Sequence, residues 1–183
     1  MRRFVAVLPV LCFAACAGPL GGNGGTGGQS QGSADVSGSF NGQSVVASDA
    51  IAVTGTEVAD GGTNGYVGIV ISSTAGVCAR ASTNVWSGPP GDATLVIEAV
   101  ASDATSVGPG TYTVGSAATP GLAHFNVIRT DGTTAGAAGV GTITFTSSGA
   151  DFEGDFDVTL AGGDRLTGRF SAPVCAGGMN PFP

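Results

Sequence analysis

The stretch GTITFTSSGADFEGDFDVTLAGGDRLTGRFSAPVC, residues 141–175, decides the fold that this sequence predicts. Apolar and polar side chains alternate within it in three runs, which are separated by glycine-containing links at 148–149 and 161–163. Alternation with a period of two is typical of strands that bury one face, and such short links are typical of hairpins. We therefore expect a three-stranded antiparallel meander, with strands near 140–147, 151–160 and 164–173.

The second hairpin of this meander contains glycines and aromatic rings at matching positions. A three-residue loop at 161–163 places Gly163 where a left-handed backbone is needed. The resulting register sets Phe156 opposite Gly168 and Gly154 opposite Phe170, so that each ring covers a bare glycine. The same register sets Asp155 opposite Arg169 on the solvent-exposed face. The alternative is a slip by two residues, which would set Asp157 opposite Arg169 instead.

For the first hairpin, a two-residue turn at 148–149 places Phe145 opposite Phe152 and Ile143 opposite Gly154. This register keeps the apolar faces of the two strands together, which matters because a one-residue slip inverts every side chain.

Similar short runs, split by Gly, Pro, Asn and Asp, continue upstream to about residue 34, and Asn41-Gly42 is a strong hairpin signal. We predict one all-β domain over 34–175, with about eight to ten short strands. An antiparallel sandwich is the favoured architecture, and a small closed or partly open up-and-down barrel is the alternative.

The charge of the chain excludes several partners. It has 183 residues, no lysine, six arginines and thirteen carboxylates. Without Arg2 and Arg3, which lie in a predicted signal peptide, four arginines remain against thirteen carboxylates, a formal charge of −9. Such a surface repels phosphate backbones, so we expect no nucleic-acid partner. It has no electrostatic affinity for anionic lipid either, so any membrane attachment must be covalent.

The N-terminus is typical of an export signal. Arg2-Arg3 precede a short apolar segment that ends in small residues, and this segment is too short to span a bilayer. Its end, Phe13-Ala14-Ala15-Cys16, resembles the lipobox of bacterial lipoproteins, with Phe13 where leucine is usual. The resemblance implies removal of residues 1–15 and lipid on Cys16. The competing interpretation is ordinary signal cleavage after Ala17.

The segment after Cys16 is rich in glycine, GPLGGNGGTGGQSQGS at 18–33. A flexible tether of this kind, over 16–33, lets a lipid-anchored domain stand off its membrane. Ala17 resembles the residue found in lipoproteins that are sorted to the outer membrane, where we expect this chain. Residues 141–175 resemble the closing strands of small β-rich bacterial lipoproteins of uncharacterised function, which implies location and fold class but no activity. A flexible tail is expected over 176–183.

Cys78 and Cys175 remain as a pair once Cys16 carries lipid. In an oxidising compartment an even pair predicts a disulfide, and the alternative is two buried free thiols. One histidine and two distant cysteines form no metal-ligand cluster, so no metal site is expected.

Four further features could carry chemistry, and each has a structural alternative. Residues 28–32 match the G-x-S-x-G nucleophile elbow, but no strand precedes them and no helix follows, so we interpret the match as coincidence. His124 is either a general base or a half-exposed strand residue, and the second is favoured.

The acidic row at 151–157 is either a calcium site or a solvated strand face, and the second is again favoured, because one flat strand chelates poorly. Trp86 is either a platform for a ligand or a cap on the core.

The sequence thus predicts a cell-envelope lipoprotein that is not an enzyme and uses no cofactor. Its β-domain is expected to have a structural or protein-interaction role with an envelope protein as partner. The alternative is a β-domain that binds a small ligand or a glycan, through a barrel cavity or through Trp86.

Overall fold

The computed structural model describes residues 31–59, 62–82, 93–102, 106–129, 135–136 and 139–177. Within these residues the elements follow one another as β1 (Ser33–Phe40), β2 (Gln43–Ser44), β3 (Asp49–Ala59), β4 (Gly62–Ser72), α1 (Val77–Ala81), β5 (Ala93–Val100), β6 (Gly110–Val114), β7 (Leu122–Arg129), β8 (Ala135–Gly136), β9 (Val140–Ser147), β10 (Asp151–Thr159) and β11 (Arg165–Pro173).

The strands form one continuous sheet that is curled into a half-barrel, which confirms the predicted all-β class. The order across the sheet is β2-β1-β11-β10-β9-β6-β7-β5-β4-β3, and β8 pairs with β7 off this path. Neighbouring strands are antiparallel except for β6 and β7, which are parallel. A single curled sheet corresponds to the partly open barrel that the sequence analysis gave as its alternative to a sandwich.

The two ends of the sheet meet along a short seam. Ala52 in β3 forms a parallel bridge with Val174, just after β11, and the Cys175 N–H donates to the Ala52 carbonyl at 2.8 Å. The start of the described chain lies at the same seam, because the Gln31 side-chain amide donates to the Ser48 carbonyl at 3.2 Å. The half-barrel is thereby joined to itself over the first few residues of β3.

The interior of the half-barrel is filled with apolar side chains contributed by nearly every strand. Five of its phenylalanine rings form three pairs that are T-shaped or tilted, with the centroids of each pair 5.4 to 5.9 Å apart. This is the spacing that aromatic pairs prefer. The largest fully buried side chains of this interior are Phe125, Phe145, Ile69, Ile71, Leu95, Ile97, Ile143 and Leu166.

The predicted register of the second hairpin is confirmed. Phe156 pairs with Gly168 and Gly154 with Phe170, and Gly163 has a φ of +90° in the loop. A Cβ built on Gly168 would lie 2.7 Å from Cζ of Phe156. The ring therefore occupies the space that any larger residue at this position would need.

The predicted register of the first hairpin is wrong by two residues. Phe145 pairs with Gly154 rather than with Phe152, and a β-bulge lies between Glu153 and Gly154. The Phe145 and Phe170 rings lie 5.8 Å apart, on the two sides of Gly154. Gly154 thus pairs with a phenylalanine on each side, and a Cβ built on it would lie 2.9 Å from Cζ of Phe170.

Helix α1 covers part of the outer face of the sheet. The backbone N–H groups of Gly76 and Val77 donate to Oδ2 of the buried Asp49, at 2.8 and 3.0 Å, and this holds the start of the helix against β3. The predicted disulfide joins Cys78 of α1 to Cys175, with a Cα–Cα distance of 5.6 Å. It ties the helix to the seam.

Candidate functional site

Strand β3 is an edge strand whose second half lies beyond the seam. The Ala52 carbonyl points to the seam, and backbone groups two residues apart in a strand point the same way. The N–H and C=O groups of Thr54 and Thr56 therefore face away from β4. Among the residues that the structure describes, no strand pairs with this part of the edge.

A slot of about 370 Å³ opens beside this free edge. One wall is the β3 edge, and the opposite wall combines the apolar side chains of Val107 and Phe152 with the turn after β9. The described residues that line the slot are Thr54, Gly55, Thr56, Tyr66, Ser106, Val107, Ser148, Gly149 and Phe152. Its volume is near the lower end for ligand pockets in proteins.

The Tyr66 side chain forms the outer lip of the slot. Tyr66 pairs with Gly55 across β3 and β4, and a Cβ built on Gly55 would lie only 2.6 Å from the Tyr66 hydroxyl. Only glycine leaves room for the ring there, so the ring reaches across β3 to the free edge. Tyr66 is largely buried in this position and is one of the residues that line the slot.

Two carboxylates lie on the same outer face as Tyr66. Glu98 is 8% exposed, and burial, followed by the negative charge of Glu57, raises the pKa of Glu98 from 4.5 to about 7. Burial and then the charges of Glu98 and Glu57 raise the pKa of Tyr66 above its usual value of 10. Acidic groups therefore cluster on the outer face of β3 to β5, and Glu57 directly follows Thr56, which lines the slot.

His124 lies in the strand next to this cluster, as a half-buried residue directly opposite Glu98. Burial lowers its pKa below 6.5. Its Nδ1 is 3.4 Å from the side-chain amide of Asn126, two residues along the same face. This position fits the favoured interpretation of His124 as a half-exposed strand residue.

The acidic row of β10 lies beside the two arginines of β11. Arg165 donates to both carboxylate oxygens of Asp157, at 2.9 and 2.6 Å. Arg169 lies between Asp35 and Asp155 in the register of three neighbouring strands. Cations interleaved with acids are typical of a solvated strand face. Within the described part of the chain, no group of three or more His, Cys, Asp or Glu side chains could hold a metal ion.

Several predicted features lie outside the described residues. These are Cys16 with most of the tether, the ligand platform at Trp86, most of the 28–32 motif, and the tail from residue 178 onward. Among the residues that are described, no helix is long and apolar enough to cross a membrane.

Comparisons with known proteins leave the site to be interpreted from its own geometry. The chain matches no protein-family model, no curated protein and no solved structure.

Sequence reasoning missed the slot and the acidic cluster beside it. One signal was present: Glu98 is the only charged residue in the otherwise apolar or small run ATLVIEAV at 93–100. A single carboxylate in a strand that is buried on both faces marks an unusual environment. The free edge of β3 depends on where β11 ends relative to β3, which no local pattern encodes.

Proposed function

We propose that this chain is a lipid-anchored protein of the bacterial cell envelope, attached to the outer membrane through Cys16. Its β-domain acts without catalysis, by recognising another envelope protein at its surface. The lipobox-like sequence and the glycine-rich segment after it support the anchor, and the acidic charge of the domain supports a covalent attachment over an electrostatic one.

The packed interior is the observation that carries the recognition role. Residues such as Phe125, Ile97 and Leu95 are completely buried inside the half-barrel, where a ligand carrier would have its cavity. The interior therefore stabilises the fold, and the surface is left for recognition. The slot beside β3 is the most developed feature of that surface.

The position of the slot suits a protein that acts close to its anchor. Gln31 and Gly32 contact the start of β3, at Ser48 and Ala50. The slot begins four to six residues further along the same strand, about 13–20 Å away at 3.3 Å per residue. A tether leaving at Gln31 would keep the slot within reach of membrane-associated partners.

Crosslinking in cells tests this proposal. A photoreactive residue would be placed singly at Thr56 in the slot and at the exposed Thr142 on β9, in the full chain and in its Cys16→Ser variant. We expect the anchored chain to yield one stoichiometric envelope partner, which the purified full chain then binds directly. Turnover of a substrate by the purified chain, or no partner at either position, would contradict the proposal.

Small-ligand binding is the second candidate function, and the slot is the observation that favours it. Tyr66 and Phe152 could hold a planar or sugar-like ligand there. One wall of the slot is a strand edge rather than side chains, which favours a polypeptide. Calorimetry of the purified chain with envelope glycans would distinguish the two functions.

A further inference from the structure

We propose that the free edge of β3 binds an extended, positively charged segment of a partner protein, which adds to the sheet as a further strand. This inference deepens the proposed recognition function and rests on it.

The backbone of β3 provides the first part of the recognition. Thr54 and Thr56 present N–H and C=O groups to the slot, and a strand added there would continue the ladder of the sheet. Proteins usually protect such edges with very short strands, proline or lysine. The edge strand at the other end of the sheet, β2, has only two residues. By contrast, β3 has eleven residues, and none of them is proline or lysine.

The inner and outer faces of the slot determine which kinds of side chain the bound segment should carry at alternate positions. In an added strand, alternate side chains would point inward, towards Val107 and Phe152, and these should be small or apolar. The others would point outward, towards Tyr66 and Glu57.

The negative charge of Glu57 and Glu98 favours a cationic side chain at the outward positions of the bound segment. Glu57 follows Thr56 on the outer face of β3, Glu98 lies on the same face two strands away, and their negative charges repel each other. Among the described residues, no Arg side chain pairs with either carboxylate. A Lys or Arg of the bound segment would offset this repulsion, as opposite charges do across strands.

Charge also argues against a second copy of this chain as the occupant. Antiparallel pairing of β3 with the β3 of another copy would bring the two Glu57-bearing faces onto the same side of the joined sheets. Each copy carries a strong net negative charge. Like charges on neighbouring strands are destabilising, so a cationic partner is preferred.

Synthetic peptides on the full chain in detergent micelles test the proposal. The probe is a capped, fluorescent nine-residue peptide that alternates valine with arginine, and its binding is measured by anisotropy. Replacing the arginines by glutamates should weaken binding at least tenfold. In a bound strand, the N–H groups of every second residue face β3. Methylating the backbone nitrogens of that set should also weaken binding at least tenfold. Methylating the other set should change affinity less than threefold.

Variants of the chain locate the site. Thr56→Pro removes an N–H that faces the slot and none that pairs with β4, so it should weaken binding tenfold with an unchanged circular dichroism spectrum. Glu57→Gln should weaken binding at least threefold, and the matched control Glu153→Gln, on the exposed face of β10, should not.

Four outcomes would overturn the proposal: no binding of the arginine peptide, equal loss with both methylated sets, binding that Thr56→Pro leaves intact, or sedimentation that shows two copies joined through β3. The methylation result holds even if Thr56→Pro fails to fold. An envelope partner that crosslinks from Thr142 equally in the wild-type chain and in Thr56→Pro would refute the slot and leave the proposed function standing.

Discussion

Glu98 lies directly opposite His124 across the ladder of β5 and β7, on the outer face of the sheet. Burial raises the pKa of Glu98 to about 7 and lowers the pKa of His124, so burial favours the neutral form of both groups. Glu57 and Tyr66 face the same cluster from β3 and β4. The pair therefore couples stability to pH.

The stability of the domain should fall as pH rises from about 5 to 8. The pKa of Glu98 is about 7 in the folded state, against 4.5 as its ordinary value, so the folded state prefers the protonated acid. This advantage is complete below pH 4.5 and is lost as pH rises through 7, a change of at most about 3 kcal/mol. Thermal unfolding of the full chain at a series of pH values measures it.

The variant Glu98→Gln separates the contribution of Glu98 to the pH dependence of stability from that of His124. It should be more stable than wild type at pH 8 and should no longer lose stability on going from pH 5 to 8. His124 then remains, and because its folded pKa is lowered, its contribution is lost as pH falls below 6.5. We expect Glu98→Gln to become less stable as pH falls from 7 to 5. Identical pH profiles for the variant and wild type would show that Glu98 is not the group responsible.

Substitution at Gly168 should destabilise the meander. A Cβ there would lie 2.6 Å from the Asp35 carbonyl oxygen and 2.7 Å from the Phe156 ring, so Gly168→Val requires both strands to move. Overpacking of this kind costs about 1–3 kcal/mol. Gly162→Val in the loop is the matched control, because nothing lies within 4 Å of its Cβ position. Chemical denaturation compares the two, and equal midpoints would mean that the ring does not occupy this space.

Loss of the Cys78–Cys175 disulfide should lower the free energy of unfolding. The bond closes a loop of 97 positions, and native disulfides of this kind contribute about 2–5 kcal/mol. The double variant Cys78→Ala with Cys175→Ala should unfold at lower denaturant, and reductant should have no effect on it. Wild type should match the double variant only when it is unfolded in reductant. A wild-type midpoint that is insensitive to reductant would contradict a stabilising role.

The sequence predicted the strands best where local pattern and packing agree. The strand predicted near 140–147 coincides with β9, and those predicted near 151–160 and 164–173 each differ from β10 and β11 by one residue, because turn residues bound each run. The Asn41-Gly42 turn also forms as expected, with φ values of 51° and 73°. In the second hairpin, glycines and rings at matching positions left few acceptable registers.

The remaining features depend on contacts between distant parts of the chain. The register of β9 on β10 shifts between Glu153 and Gly154, and Gly154 pairs with Phe145 of β9 and with Phe170 of β11 at once, so its position involves two neighbouring strands. The slot depends on the length of β11 relative to β3. Neither feature leaves a periodic pattern, and the acidic cluster was marked only by the isolated charge of Glu98.

Mass spectrometry of the N-terminal peptide of the mature chain, isolated from its own membranes, tests the central claim most directly. We predict that the peptide begins at Cys16 and carries acyl chains, and that a Cys16→Ser chain leaves the membrane fraction, because the acidic domain has no other affinity for lipid. An unmodified N-terminus at Gly18, which follows from cleavage after Ala17, would contradict a lipid-anchored protein.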